Sequence, residues 1–155
     1  MASASVIRLI SPCDLRHRAL AVRLIAEACR LARGERTVDE QSLSGAYDLR
    51  DPFDAELVSA FAEIYNNIVL HAYGRRDGET VEIALHVADG TLTIEIRDTG
   101  VSFDPSTVPE PDLDSLPEGG MGLHIARAML DEVAYEPGPP NLWRLTKRHR
   151  PADAS

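Results

Sequence analysis

Two runs of alternating apolar residues around Asp89-Gly90 constrain the fold more than any other feature of the sequence. In both runs apolar residues occupy every second position, which is the period of a strand with one buried face. An Asp-Gly pair between two such runs favours a tight turn, since both residues tolerate positive φ. The pattern therefore predicts an antiparallel hairpin. Its apolar positions are Val81, Ile83, Leu85 and Val87 before the turn and Leu92, Ile94 and Ile96 after it.

Helical patterns lie on either side of this hairpin. Ser11-Pro12-Cys13-Asp14 predicts the start of a first helix, with serine as the cap and proline in the first turn, and Arg33-Gly34 predicts its end. Asp51-Pro52-Phe53-Asp54 predicts the start of a second helix, which Gly74 ends. A third helix is predicted from Leu123 to Leu130. The apolar face of the first helix is predicted at Leu15, Ala19, Val22, Ala26 and Cys29.

Short apolar runs at 6–10, 133–135 and 142–146 predict three further strands, the first of them at an edge. Strands clustered in the second half, with helices before and between them, predict an α+β fold. We expect a two-layer sandwich with one mixed or antiparallel sheet and helices on one face. The whole chain, 1–155, is expected to be one domain with its core at about 55–147. We expect Gly34–Asp51 to be a loop with one short element and 149–155 to be a frayed tail.

The charge balance excludes some partners. The chain has 155 residues, with 25 acidic against 16 basic side chains and a net charge of −9. This acidity argues against a direct nucleic-acid partner or a surface that docks on anionic membranes. No apolar run approaches the roughly 20 residues of a membrane-spanning helix, and the N-terminal run is too short for a signal peptide. With two cysteines in no metal-like spacing, we expect a cytoplasmic protein.

Glu63, Asn67 and His71 form the first candidate site. Residues four positions apart on a helix are rotated by only about 40°, so these three side chains share one stripe. An amide one turn from a carboxylate suits a magnesium–nucleotide site, because the amide oxygen can ligate a hydrated hard cation while the acid polarises a hydroxyl or water. The alternative is a solvated helix face.

Asp98-Thr99-Gly100, at the end of the second hairpin strand, forms the second candidate site. An acid at a strand end can accept a hydrogen bond from a ligand while the glycine lets the backbone turn away. The alternative is an ordinary turn, for which aspartate and glycine are common residues.

Gly119-Gly120-Met121-Gly122 precedes the third helix and forms the third candidate. Glycines allow close approach of a ligand, and a helix N-terminus offers free N–H groups to phosphate. The alternative is a hinge. The preceding residues 104–118 hold four prolines and five acids, with no lysine or arginine, and predict a mobile loop. Phosphate charge at this site would therefore be met by backbone donors and a metal ion.

In order and separation these motifs resemble those of the stand-alone anti-sigma-factor serine/threonine kinases of bacterial partner-switching systems. That family belongs to the GHKL ATPases, which include gyrase and histidine-kinase catalytic domains. The resemblance covers about 55–147 and implies a Bergerat-type ATP-binding fold. It is carried by Glu63-x-x-x-Asn67-x-x-x-His71-Ala72-Tyr73, then Asp98-x-Gly100-x-x-Phe103-Asp104-Pro105, then Gly120-x-Gly122-Leu123.

The resemblance implies roles for the residues of the first motif. Asn67 would coordinate the Mg²⁺ that bridges the phosphates of ATP. Glu63 would be the general base that takes the proton of the attacking hydroxyl. His71 is assigned mainly to structure.

It also implies roles around the base and the phosphates. Asp98 would accept the exocyclic amine of adenine, and Gly100 would give the base room. Gly120 and Gly122, with Leu123 after them, would bring backbone N–H groups over the phosphates, and 104–118 would be the ATP lid. Two positions depart from the pattern: Glu118 stands where some members have a basic residue, and Asn141 where a late threonine near adenine is usual.

The function implied by the resemblance is that of an ATP- and Mg²⁺-dependent protein serine/threonine kinase. Such a protein phosphorylates a small antagonist protein and sequesters a sigma factor or another regulator, and members often form homodimers. Two alternatives are a non-catalytic, ATP-dependent interaction module and a simple ATPase in which Glu63 activates water.

Overall fold

The hairpin predicted around Asp89-Gly90 is present in the computed structural model, which describes residues 5–34, 49–102, 104 and 122–151. Both turn residues have positive φ, 53° for Asp89 and 75° for Gly90, as a tight turn between twisted strands requires. The two strands, β2 (Thr80–Ala88) and β3 (Thr91–Asp98), pair antiparallel along most of their length.

Three further strands complete one open sheet: β1 (Ser5–Pro12), β4 (Glu132–Glu136) and β5 (Asn141–Arg148). The spatial order is β1-β2-β3-β5-β4, and every neighbouring pair is antiparallel. Of the two sheet types expected, the antiparallel one is therefore correct. The α+β prediction is confirmed.

Three helices cover one face of this sheet: α1 (Arg18–Ala32), α2 (Pro52–Asn67) and α3 (Gly122–Met129). The core lies between the helices and the alternating inward positions of the strands, such as Ile83, Leu92 and Ile94, which are fully buried. Cys13 and Cys29 are buried and unpaired within this core. In the part of the chain that the structure describes, no helix is long and apolar enough to cross a membrane.

The first helix begins later than predicted. Ser11 and Pro12 continue β1, where they pair with β2, and so do not cap a helix. At the edge of the sheet Pro12 is tolerated, because edge strands need not donate every N–H. Asp14 then accepts a hydrogen bond from the backbone N–H of His17 at 2.8 Å, and α1 begins at the next residue. Leu15 and Ala19 are consequently exposed instead of facing the core.

The second helix begins as predicted but ends in an unexpected form. The Asp51 side chain caps it by accepting the Phe53 N–H at 2.9 Å, with Pro52 in the first turn. After Asn67 the chain makes a single π-helical turn, Ile68–Ala72, here called the π-turn. Gly74 follows with a φ of 56°, which ends the helix as the sequence predicts.

The C-terminal strands match their predictions, and the first residue of the expected tail is anchored. The His149 N–H donates to the Gly90 carbonyl at 2.8 Å, and its ring lies edge-on to Phe53 at 5.3 Å. The short element expected within Gly34–Asp51 would fall largely on 35–48, and the lid largely on 105–118. Both ranges lie outside the described residues.

Candidate functional site

A pocket of about 280 Å³ lies between the end of α2, the π-turn, the start of α3 and the ends of β3 and β5. Five residues singled out from the sequence line it: Asn67, His71, Asp98, Gly122 and Leu123. The structure therefore brings together parts of all three candidate motifs. Seven further lining residues were not among the predicted binding residues: Ile68, Ala72, Val101, Ser102, Tyr135, Asn141 and Trp143.

Asp98 reaches the pocket because it continues the inward-facing positions of β3. Leu92, Ile94 and Ile96 point into the core, and Asp98, two residues further on, points the same way and is only 2% exposed. Strand register places Asn141 of β5 directly opposite it. A buried acid and a buried amide thus become cross-strand partners at the end of the sheet.

The Asn141 side chain makes four hydrogen bonds. Its Nδ2 donates to Asp98 Oδ1 at 2.9 Å and to the Gly100 carbonyl at 3.0 Å. Its Oδ1 accepts from the Gly138 N–H at 2.8 Å and from the Ser102 hydroxyl. This is the full donor and acceptor capacity of a carboxamide. Asn141 therefore joins β3, the loop after it and the turn before β5.

The carboxylate of Asp98 is held through one oxygen. Besides Asn141, the Gly100 N–H donates to Asp98 Oδ1 at 2.9 Å, and no other described group donates to either oxygen. No buried side-chain atom of the described residues lacks a partner, so Oδ2 is reached from the pocket. Burial raises the pKa of Asp98, and the hydrogen bonds from Asn141 and Gly100 partly oppose that rise.

The turn after β3 packs directly on the π-turn. The Val101 N–H donates to the Ala72 carbonyl at 2.8 Å. A Cβ on Gly100 would lie within 2.6 Å of the Ala72 carbonyl carbon and 2.8 Å of its Cβ. Glycine is therefore required here by the close approach of two backbone segments. We expected Gly100 to make room for a ligand, and its tight packing supplies a different reason for glycine.

Tyr73 ties the same turn to the start of β2. Its buried hydroxyl donates to the Thr80 carbonyl at 2.7 Å and accepts the Thr99 N–H at 2.8 Å. The hydroxyl thus fixes the turn that carries Asp98 and Gly100 against the end of the helix. The sequence motif includes Tyr73, but the motif alone gave no indication of this role.

Glu63 lies one turn before Asn67 on α2, beside the first residue of α3. A Cβ on Gly122 would come within 2.6 Å of Glu63 Oε2 and 3.1 Å of Glu63 Cβ. Gly122 is buried and lines the pocket, whereas Glu63 lies next to Gly122 and is not itself one of the lining residues. The side chains of Glu63 and Asn67 make no hydrogen bond to another described residue.

An aromatic wall closes the other side. Tyr135 and Trp143 are cross-strand partners on β4 and β5, with ring centroids 4.6 Å apart. No lysine or arginine lines the described part of the pocket, where His71 is the one side chain that can become cationic. Within 5–34, 49–102, 104 and 122–151, no cluster of three or more histidine, cysteine or acidic side chains could hold a metal ion. Gly120 lies outside the described residues.

Comparisons with known proteins agree with this architecture. Residues 12–147 match the model of a family described as the histidine kinase-like ATPase domain. The serine-protein kinase RsbW of Bacillus pumilus is 37% identical over 92 residues, which is 52% of this chain and 56% of that protein. RsbW of Oceanobacillus iheyensis is 31% identical over 86 residues, 50% and 54% of the two chains, and RsbW of Bacillus thuringiensis is 34% identical over 83 residues, 48% and 51%.

The chain spans about half the length of these curated relatives. The family model, by contrast, covers nearly all of the described strands and helices. The superfamily resemblance is thus confirmed, and the chain belongs to the histidine kinase-like ATPase domain family.

Proposed function

We propose that this chain is an ATP-dependent protein serine/threonine kinase. The observation that carries the proposal is the position of Glu63: its carboxylate lies beside Gly122, which lines the same pocket as Asp98. A general base next to a pocket that also holds a group able to recognise a nucleobase suits transfer of a terminal phosphoryl group. The similarity to serine-protein kinases supports this reaction over others.

The residues present fit an adenine base. Asp98 Oδ2 is the oxygen left for a ligand, and it can accept a hydrogen bond from an exocyclic amine. Ile68, Tyr135 and Trp143 supply apolar and aromatic walls on which a flat base can pack. The 280 Å³ of the pocket is near the lower end of known ligand sites, as suits a base more than a whole nucleotide.

The residues also fit a magnesium ion that is bound together with phosphates. Two amides line the pocket, and since the hydrogen bonds of Asn141 already use its full capacity, Asn67 is the one left for a metal; the described residues hold no acidic cluster. Mg²⁺ keeps several waters and takes much of its coordination from phosphates, so one protein ligand suffices. When bound, Mg²⁺ would neutralise phosphate charge that no described pocket lysine or arginine can meet. We assign Asn67 as that ligand, and propose 104–118 as the lid with Gly120, Gly122 and Leu123 against the phosphates.

Glu63 acts as the general base in this proposal. Its carboxylate makes no hydrogen bond within the described residues, so it is free to accept one from a substrate hydroxyl. Accepting that proton would raise the nucleophilicity of the serine or threonine oxygen as it attacks. Asp98 and Asn141 would hold the adenine ring in place, and this would align the phosphates with the substrate hydroxyl.

The partners remain part of the proposal. We propose an antagonist protein as the substrate, and a sigma factor or other regulator as the binding partner, with the cytoplasm as the site of action. A homodimer is also proposed, since β1 is an edge strand on which Val6 and Ile10 are 55% and 70% exposed.

The test uses Mg·ATP, a candidate antagonist protein and two pairs of variants. Binding is followed by the fluorescence of Trp143, the single tryptophan of the chain, which lines the pocket. Glu63→Gln keeps the size of the side chain and is expected to leave ATP affinity within about twofold while phosphate transfer falls by about 10²–10⁴. Asn67→Ala is expected to weaken Mg·ATP binding itself.

Glu56→Gln is the matched control for Glu63→Gln, the variant that removes the proposed general base. Glu56 is on the same helix but pairs with Lys147 at 2.7 Å, away from the pocket, so transfer should be unchanged. Binding without transfer in the unaltered chain would favour the non-catalytic module. Hydrolysis to ADP that needs Glu63 but labels no protein would favour the simple ATPase. Failure to bind Mg·ATP would contradict the proposal as a whole.

A further inference from the structure

A second pocket lies at the opposite end of α2 from Asn67. It has a volume of about 310 Å³ and lies between the first turn of α2 and the end of β5. Four of its lining residues, here called the basic groove, are Phe53, Arg148, His149 and Arg150. The proposed reaction gives these four residues no chemical step.

The acids that line this second pocket already have partners. Glu56 and Lys147 pair with each other at 2.7 Å, and Lys147 donates as well to the Met129 carbonyl at 2.6 Å, so neither charge is left for a ligand. Asp51 accepts the Phe53 N–H at 2.9 Å. The charges that remain for a ligand are therefore cationic.

Arg148 is the cation of the groove that has no partner. Its guanidinium makes no hydrogen bond or ion pair with another described residue, while its backbone N–H donates to Asp131 Oδ2 at 2.7 Å. Arg150 has a 71% exposed side chain and lies 3.2 Å from Asp131 Oδ1. The Arg148 N–H and the Arg150 charge hold the pKa of the Asp131 carboxyl below its ordinary value. This end of β5 thus favours negative charge, in a chain whose net charge is −9.

Two packed rings form the apolar side of the groove. Phe53 is buried, and its ring lies edge-on to the His149 ring with centroids 5.3 Å apart. The His149 N–H donates to the Gly90 carbonyl at 2.8 Å, which holds the rings against the hairpin turn. An aliphatic side chain can pack on these rings while neighbouring carboxylates reach the two arginines.

We propose that the basic groove binds a short acidic segment of the protein substrate, with an aliphatic side chain on the rings and carboxylates on Arg148 and Arg150. The inference rests on the proposed function, because it gives the substrate of that reaction a second point of contact. A short peptide matches the groove better than a nucleic acid does, since a long polyanion would also meet the acidic remainder of the surface.

Helix α3 sets the distance between the groove and the proposed general base. Gly122 at its start lies beside Glu63, and the Met129 carbonyl at its end accepts from Lys147, which lines the second pocket. The eight residues of α3 span about 12 Å, and an extended peptide rises about 3.3 Å per residue. The acidic segment should therefore lie at least about four residues from the serine or threonine that is phosphorylated.

The first test measures peptide binding by fluorescence anisotropy without nucleotide, so that its outcome does not depend on ATP. The probe is a fluorescein-labelled peptide in which glutamates flank a single leucine, and the control peptide has glutamine in place of every glutamate. We expect Arg148→Glu to weaken binding of the glutamate peptide about tenfold, because attraction at an exposed charge becomes repulsion. Added salt should weaken binding to the unaltered chain as well.

Arg23→Glu is the matched control for this charge reversal. Arg23 is exposed on α1 and also makes no hydrogen bond or ion pair with another described residue, so the net charge changes equally while the groove does not. Its affinity for the glutamate peptide should stay within about twofold of the unaltered chain. Equal losses in the two variants, or equal binding of the two peptides, would overturn the inference. Equally tight binding of a single-stranded oligonucleotide would also overturn it.

The second test separates docking from chemistry in the transfer assay with a candidate antagonist protein. Arg148→Glu should raise the KM for that protein about tenfold and leave kcat and the affinity for Mg·ATP within about twofold. An unchanged KM would overturn docking of the substrate. Absence of transfer in the unaltered chain would contradict the proposed function, whereas peptide binding that depends on Arg148 would still support a site for acidic segments. Absence of both would overturn both.

Discussion

Asp98, Gly100 and Asn141, the proposed base end of the site, are joined to one another by hydrogen bonds, whereas Glu63, Asn67 and Gly122, the proposed phosphate end, are not. At the base end the only free acceptor on Asp98 faces the pocket. At the phosphate end the two polar side chains of α2 make no hydrogen bond to another described residue. The first end is fixed before any ligand arrives, and the second leaves its polar groups for the ligand.

The difference follows from the secondary structure that supplies each end. Strand register places Asp98 opposite Asn141, and two backbone segments in contact leave no room for movement. The helix stripe places Glu63 and Asn67 on one side but gives their side chains no hydrogen-bond partner among the described residues. A rigid recognition end and an adaptable reactive end suit a ligand whose base is constant while its phosphates change during reaction.

Replacing glycine with alanine should therefore act differently at the two ends, mainly on phosphate transfer at Gly122 and mainly on stability at Gly100. The largest effect is expected from Gly122→Ala. The new Cβ would meet Glu63 Oε2, the end of a flexible side chain that can move aside, and would lie 3.1 Å from Glu63 Cβ, where α2 and α3 must separate slightly. We expect phosphate transfer to fall by about 10²-fold, since displacement of a reacting group by about 1 Å can cost that much. Stability should change by less than about 1 kcal/mol, because the helix preference of alanine over glycine and the close contact with Glu63 Cβ oppose each other.

Transfer assays and urea unfolding of the same preparations measure both effects. The double variant Gly122→Ala with Glu63→Gln should transfer no more slowly than Glu63→Gln alone, because both changes act on one carboxylate. A further loss in the double variant would show that Gly122 serves the phosphates directly.

Gly100→Ala tests the base end and is expected to lower stability by about 1–3 kcal/mol. The added Cβ would meet the backbone carbonyl of Ala72, which can move only if the π-turn moves with it. Urea unfolding measures the loss, with Gly122→Ala as the matched control at the other end. Equal stability of the two variants would contradict the contrast between a rigid and an adaptable end.

Tyr73→Phe should weaken the base end more mildly, by about 1 kcal/mol of folding stability. It removes the hydroxyl that holds the Thr99 N–H and the Thr80 carbonyl, and ATP affinity should fall because the turn with Asp98 loosens. Tyr65→Phe is the control: this hydroxyl donates to the Asp14 carbonyl at 2.9 Å, away from the pocket. A similar loss of stability without loss of affinity is expected there, and equal affinities in both variants would contradict the role of Tyr73.

Features that depend on neighbours in sequence could be predicted from it. The Asp89-Gly90 turn, the Asp51 cap and the shared stripe of Glu63 and Asn67 each arise within about eight residues. The predicted start of the first helix was wrong for an instructive reason. Ser11-Pro12 carries a valid helix-start signal, but pairing with β2, nearly 70 residues away, overrides it.

The features that could not be predicted depend on distant contacts. Asp98 and Asn141 are 43 residues apart, and only the β3–β5 register makes them partners. The resemblance placed Asn141 where a late threonine near adenine is usual, and this indicated its location. Its four hydrogen bonds could be found only from the folded structure. The π-turn has no residue signature, and the contact of Gly122 with Glu63 joins two helices. Sequence therefore indicated several of the residues that meet at the pocket, but not the contacts that position them.

The smallest expected effect is on the free energy of unfolding, which is lowered by burial of the Asp98 carboxylate. Burial raises the pKa of Asp98 in the folded chain, so the folded state binds this proton more strongly than the unfolded state. Stability is therefore lost as the pH rises from the ordinary carboxyl pKa through the raised one. Asp98→Asn keeps an oxygen for Asn141 and Gly100 but cannot ionise. In urea unfolding we expect this variant to be more stable than the unaltered chain at pH 7.5, with the difference shrinking as the pH falls. A variant less stable at every pH would show that hydrogen bonds, more than burial, determine the state of Asp98.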